Sequence, residues 1–184
     1  DFLPLDKESK AALKVLQREL GLFSALKIGL HLKKREQQGE PFHHLPDPGN
    51  KKEALSRKQI GPAILLYQEL KKKHSQKEAL RITQEVIIQR TLVFLRKTIG
   101  PIQREKIARM TRGEREGWVQ KTGDQFFNAK MEWKEINEDK IEFDVTACLF
   151  PALCARTGVP ELAPAFCKGD AVFFGTVEPD VVFQ

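Results

Sequence analysis

The strongest constraint on this chain is a change of hydrophobic period along its length. Up to about residue 123 the apolar residues recur at steps of three and four; from Met131 onward they alternate. A period near 3.6 places apolar side chains on one face of a helix, and a period of 2 places them on one face of a strand. Leu13, Leu16, Leu20, Phe23, Leu26 and Leu30 predict a helix over 7–36, weakened at Gly21 and Gly29. Its apolar side is expected to pack on the chain's own core. Ile60, Ile64, Tyr67 and Leu70 form a second stripe. Ser75 and Glu78 make a capping box that opens a third helix, which runs through VIIQRTLVFL (86–95), central and buried, to a stop at Gly100-Pro101. Thr111 and Glu114 repeat that signature before a helix carrying Trp118. Met131 and Trp133 then alternate with Glu132 and Lys134. After a polar turn at Asn137-Glu138-Asp139, Ile141, Phe143 and Val145 alternate with Glu142 and Asp144. This predicts a β-hairpin with one face on the core. Helices first and a hairpin later give the α+β class: a helical N-terminal layer packed on a small antiparallel β-sheet.

GEPFHHLPDPGN (39–50), with three prolines and two glycines, is the clearest linker. It divides the chain into an N-terminal helix and linker, 1–50, and an α+β domain, 51–184. His43 and His44 lie in the linker with no thiol or acidic partner close in sequence, which argues against a metal there. The 184 residues are 41% hydrophobic and 30% charged, a globular balance that excludes a disordered chain. Net charge is +6 and pI about 9.2. Basic runs at 33–35, 51–52 and 71–73 can meet phosphates or an anionic surface, but acidic residues interleave with them and no nucleic-acid motif accompanies them. They read first as solvated helix faces, with no nucleic-acid partner. The basic, amphipathic first helix leaves a membrane or protein partner open. The sequence opens on Asp1, and neither a signal-peptide pattern nor an apolar run of the roughly 18 residues that span a bilayer is visible.

Cys148, Cys154 and Cys167 fall in the last quarter at a spacing that fits neither a disulfide framework nor a zinc finger, so a reducing, cytoplasmic setting is expected. Cys148 stands at the exit of the second strand. LFPALCARTG follows as a short helix with a glycine stop, and Pro160 opens another. Cys154, six residues beyond Cys148, reads as packing. On the last helix Cys167 and Asp170 are three apart and share a face. Two readings stand side by side: a buried thiol with an aspartate that caps AVFFG, or a site where sulfur and carboxylate meet. Arg81 and Arg90, nine apart, can reach one cleft or pair at the surface with Glu78 or Glu85.

FDVTACLFPALCARTGVPELAPAFCKGDAVFF resembles the signature region of the L-2-amino-thiazoline-4-carboxylic acid hydrolase family. Cys148, Gly158, Pro160, Glu161, Leu162, Cys167 and Asp170 carry the likeness, which is clear over 141–184. The resemblance implies hydrolysis of a cyclic amidine C–N bond in a small-molecule substrate. Cys167 would be the nucleophile or a metal ligand, Asp170 the base or the amidinium partner, and Cys148 would stand across the same pocket. A cation such as Lys168 would hold the substrate carboxylate. It also implies strands beyond Gln184 bearing a third cysteine, of which VVFQ (181–184) would be the start. With that cysteine, zinc or an iron–sulfur cluster becomes an alternative use of the same sulfurs, so the cofactor is unknown. A non-catalytic protein docking through helices 7–36 or 59–74 is the alternative from another class.

Overall fold

A computed structural model describes residues 6–178 and 180–182. The chain is α+β. Helix α1 (Lys7–Leu20) starts at Asp6, whose carboxylate accepts the amide of Ser9 at 2.7 Å, and α2 (Leu22–Gln37) follows after Gly21. The single helix expected over 7–36 is therefore two. Gly21 has φ +82°, a left-handed value that only glycine adopts without strain, and the chain changes direction there. The consequence is large. Val15 and Leu16 are buried on α1, but on α2 only Ala25 is buried, and Leu22, Phe23, Leu26 and Leu30 face outward. The expectation that the whole stripe packs on the core is corrected by that turn.

Helix α3 (Lys51–Leu70) begins well before Ile60, the first residue of its apolar stripe, because Asn50 caps it, accepting the amide of Glu53 at 3.0 Å. Ile60, Ile64, Tyr67 and Leu70 are all buried. Helix α4 (Gln76–Thr98) is capped by Ser75, which accepts the Glu78 amide. The Glu78 carboxylate does not return that bond; it is engaged by Arg81 instead. Helix α4 packs against α1 and α3, and Ala79, Ile82, Val86 and Ile87 join Ile60, Ile64 and Tyr67 in one core. Burying such side chains contributes about 1.5–3 kcal/mol each, which makes α3 and α4 the centre of the fold.

Short helix α5 (Arg104–Arg109) and helix α6 (Arg112–Gly123) lead to the hairpin, β1 (Ala129–Ile136) and β2 (Ile141–Cys148). At α6 the capping box is complete, with Thr111 and Glu114 each satisfying the other's amide. The strands pair antiparallel, Trp133 opposite Phe143 and Ile136 opposite Ile141, and Asn137 Oδ1 accepts the amides of Asp139 and Lys140 in the turn. The apolar face, however, does not sit on the core as expected. Phe143 is 38% and Val145 52% exposed. The hairpin is held instead through Trp133, which lies so close to Gly123 that a Cβ there would be 2.5 Å from the indole.

Helix α7 (Leu149–Arg156), a 3₁₀ turn (Pro160–Leu162) and helix α8 (Ala163–Val172) complete the fold, with a π-helical turn at Phe173–Val177. Helix α8 lies along α4. Where they meet, a Cβ on Gly169 would fall 2.6 Å from the Thr91 Cβ, so the two helices approach as closely as they do because residue 169 has no side chain. Phe173 adds a smaller cluster with Leu92 and Leu95. The strand start expected over 181–184 falls partly outside the described residues; Val181 and Val182 belong to no strand. No helix among the described residues is long and apolar enough to cross a membrane.

Candidate functional site

Cys148 is the last residue of β2 and the residue before α7. It is half-buried at the margin of the main core, and Asn128 Nδ2 donates to its sulfur at 3.5 Å. Asn128 also fixes the backbone there, since its carbonyl accepts the Leu149 amide at 2.8 Å. Two residues on, Phe150 packs against Phe166 of α8, the ring planes tilted by 57° and the centroids 5.1 Å apart. That ring pair ties the Cys148 corner to the start of the Cys167 helix.

The Gly-x-Pro-Glu-Leu stretch is architectural. Gly158, at φ +74°, ends α7; Pro160 opens the 3₁₀ turn; Leu162 is fully buried. Glu161 Oε1 accepts the hydroxyl of buried Tyr67 at 2.7 Å and lies 3.5 Å from Lys71 Nζ. Burial works against the Glu161 carboxylate, but the Tyr67 and Lys71 contacts prevail and hold it below the usual carboxylate range. Tyr67 is pushed the other way, upward, by burial and then by Glu161. These motif residues fasten the last quarter of the chain to α3. Cys154 belongs to the same framework: it is fully buried, and burial followed by the influence of Cys148 and Glu161 pushes its thiol up to about 12.

Cys167 and Asp170 lie on α8 as the spacing predicts, and Asp170 is inside the helix and does not cap the following segment. Cys167 is exposed as a residue. Desolvation of its sulfur, then Asp170 and Cys148, all push its thiol upward, so the three groups lie within electrostatic reach of one another. Asp170 is half-buried, and among the described residues its carboxylate has no hydrogen-bond or ion-pair partner. Burial alone raises it from 3.8 to about 6. A carboxyl group poised near neutrality is suited to proton transfer, whereas a thiol held above its ordinary range is not a resting thiolate. Among the described residues no three His, Cys, Asp or Glu side chains are grouped closely enough to hold a metal ion.

Beside this corner is a cleft that the motif did not reveal. Glu8, Gln59, Ala63, Ile87, Arg90, Thr91, Phe94 and Phe166 line a hollow of about 40 Å³, so it lies among helices and not between helices and sheet. Cys148, Cys167 and Asp170 do not line it themselves; Phe166, the neighbour of Cys167, does. Of the two arginines considered for a cleft, Arg90 reaches it. Arg81 is held by Glu78 and Glu19 at 2.8 and 2.5 Å. Lys168 is turned to Gln84 Oε1 at 2.8 Å. In the sequence, Arg90 is the one charge in the run VIIQRTLVFL, a signal that marks it out; nothing in the sequence singles out Gln59 or Glu8. A larger hollow, about 130 Å³, lies between Ile99, Ile102, Ile107, Met110 and Trp118, and no cysteine lines it.

A family model described as L-2-amino-thiazoline-4-carboxylic acid hydrolase matches residues 54–184. No curated protein and no solved structure matches the chain. The matched span begins inside α3 and takes in the hairpin, both motif cysteines and Asp170.

Proposed function

This chain belongs to the L-2-amino-thiazoline-4-carboxylic acid hydrolase family, and on that premise we propose that it is a hydrolase opening a cyclic amidine C–N bond. The observation that carries the reading is the family match across 54–184, which includes the Cys148–Asp170 segment. The electrostatics of α8 support it.

The carbon between sulfur and nitrogen in such a ring is electrophilic but resonance-stabilised, so it needs a nucleophile and a proton for the departing nitrogen. In this reading Cys167 Sγ adds to that carbon while the Asp170 carboxylate takes the thiol proton. The C–N bond then breaks, and the ring nitrogen leaves with the proton held by Asp170. Water next adds to the cysteine-bound carbon, again giving its proton to Asp170. The carbon–Sγ bond breaks as the carbamoyl product leaves, and Asp170 returns the proton to Cys167. Because the thiol is raised and the carboxyl sits at about 6, the proton must move as the sulfur attacks. Cys148, whose charge acts on the Cys167 thiol, is in this reading a second sulfur near the reacting group.

The test is turnover of 2-amino-2-thiazoline-4-carboxylate by purified protein, followed by loss of substrate and appearance of a free amine. Activity in the parent that disappears in Cys167→Ala supports the assignment; equal turnover in both removes Cys167 from the chemistry. No turnover under any condition removes the reading as a whole.

A second reading, docking to a partner or membrane, is favoured by one observation. Leu22, Phe23, Leu26 and Leu30 are exposed on α2, with Lys27, Lys33 and Lys34 exposed on the same helix. The stripe on α3, by contrast, is buried and has nothing to offer a partner. Co-sedimentation with anionic vesicles, compared between the parent and Phe23→Ser, tests it.

A further inference from the structure

The larger hollow, between the end of α4, α5 and α6, is walled by apolar side chains that the main core does not use. Ile99, Ile102, Ile107, Met110 and Trp118 line it, and each is only half-buried. Helix α5 has no buried residue, so it borders the hollow without packing down into it. The frame is nevertheless fixed at both ends of the 102–110 segment. Glu178 accepts the amide of Ile102 at 2.9 Å, and Asp180 accepts that of Arg104 at 3.1 Å. At the other end the buried guanidinium of Arg115 donates to the carbonyls of Ile107 and Met110 at 3.4 and 3.0 Å. A backbone pinned in this way keeps the walls apart, and the half-covered apolar surface between them favours an apolar group that fills it.

Volume and wall chemistry together say what fits. The hollow, at about 130 Å³, approaches the roughly 150 Å³ of an apolar cavity that takes up a benzene ring. Trp118 presents an indole and Met110 a thioether, and both make favourable contacts with an aromatic ring. The polar side chains that line it, Gln103 and Lys106, are exposed and open to a ligand. Of the three basic residues of α5, Arg104 is held by Asp139 at 3.1 Å and Arg109 by Glu105 at 3.7 Å. Among the described residues Lys106 has no ion-pair or hydrogen-bond partner, and no carboxylate lines the hollow. We propose that this hollow binds a small aromatic monocarboxylate, with the ring among Ile107, Met110 and Trp118 and the carboxylate at Lys106 and Gln103. A neutral ring would leave the ammonium unused, and a zwitterion would strand its second charge against apolar wall. Neither Cys167 nor Asp170 lines the hollow, so the site is separate from the chemistry proposed for them and stands whether or not the chain is a hydrolase.

The chain has two methionines, Met110 in the hollow and Met131 on β1, so ¹³C-methyl methionine labelling supplies one reporter and one internal reference. Benzoate, titrated to about 10 mM, should shift the Met110 methyl signal to saturation and leave Met131 in place. Benzamide, the same ring without the charge, should bind about threefold more weakly, the weight of an exposed charge pair. Lys106→Gln should remove that difference. Acetate, a charge without the ring, and 2-amino-2-thiazoline-4-carboxylate, a zwitterion, should leave Met110 unmoved. A Met110 signal that stays in place with benzoate, or that moves as far with acetate, overturns the assignment of the hollow. Equal affinity for benzoate and benzamide in the parent, or an undiminished difference in Lys106→Gln, overturns the role of Lys106 and with it the ligand class. A response of Met110 to the thiazoline acid overturns the separation of the two sites, whereas turnover of that acid bears on the hydrolase reading alone.

Discussion

At the scale of single residues, Asp170 decides most. Its carboxyl binds a proton more tightly in the folded chain than in the unfolded one, where the ordinary value is 3.8. The stability it contributes is therefore complete below about pH 4 and is lost as the pH rises through about 6. That contribution is at most about 3 kcal/mol, an upper value because Asp170 is only half-buried. Asp170→Asn should accordingly stabilise the fold by about 1–3 kcal/mol at pH 7, with no gain at pH 4, as measured by urea unfolding at the two pH values. The same substitution should lower kcat by about a hundredfold or more if the carboxylate moves the proton. In the parent, kcat/KM should rise with pH through about 6 as that carboxylate ionises. A substitution that stabilises while it inactivates separates a chemical role from a structural one. The cysteines give a parallel forecast. Iodoacetamide at pH 7.5 should label exposed Cys167 slowly, faster as the pH rises, and leave buried Cys154 unlabelled until the protein unfolds. Mass spectrometry of the labelled peptides reads this directly. The pairing of Cys167 with Asp170 on one helical face was legible from their spacing. The environment that raises both groups was not, because desolvation is a property of what packs around a side chain.

At the scale of elements, local chemistry was the most readable part. Thr111 and Glu114 announce α6, and the box they form is complete. Thr111→Ala should cost about 1 kcal/mol in denaturant unfolding. Contacts between elements were less readable. Nothing in LAPAFCKGDAV says that Gly169 lies against Thr91, yet a Cβ there would be 2.6 Å from it. Gly169→Ala should push α8 from α4 and cost about 1–3 kcal/mol in thermal or denaturant melts, despite alanine's better helix propensity. Because α8 carries Cys167, Asp170 and the cleft residue Phe166, turnover should fall together with stability. The first helix departs from its periodicity for a similar reason. Its apolar steps continue through Gly21, but a glycine at φ +82° turns the chain and leaves the second half of the stripe outside. Periodicity reports a face; it does not report whether that face finds a partner.

At the scale of the whole molecule, the exposed stripe on α2 is the main departure from a self-contained core. Phe23 is 87% and Leu30 64% exposed, so Phe23→Ser and Leu30→Ser should change unfolding free energy by less than about 0.5 kcal/mol. Ile64→Ala on α3, fully buried, should cost about 2–5 kcal/mol by the same measurement. The contrast between two helices with similar apolar content measures what tertiary context adds. The sequence by itself determined the change from helices to a hairpin, the Ser75 and Thr111 caps, the α+β class and the family, because each is written in short-range spacing and residue order. Only the tertiary structure decided which apolar faces meet, that the Gly-x-Pro-Glu-Leu stretch is an anchor for Tyr67, and that Arg90 and Gln59 from separate helices come together beside one cleft. Those are long-range facts: burial, and with it the raised proton affinity of Asp170, exists only once distant segments have excluded water from between them.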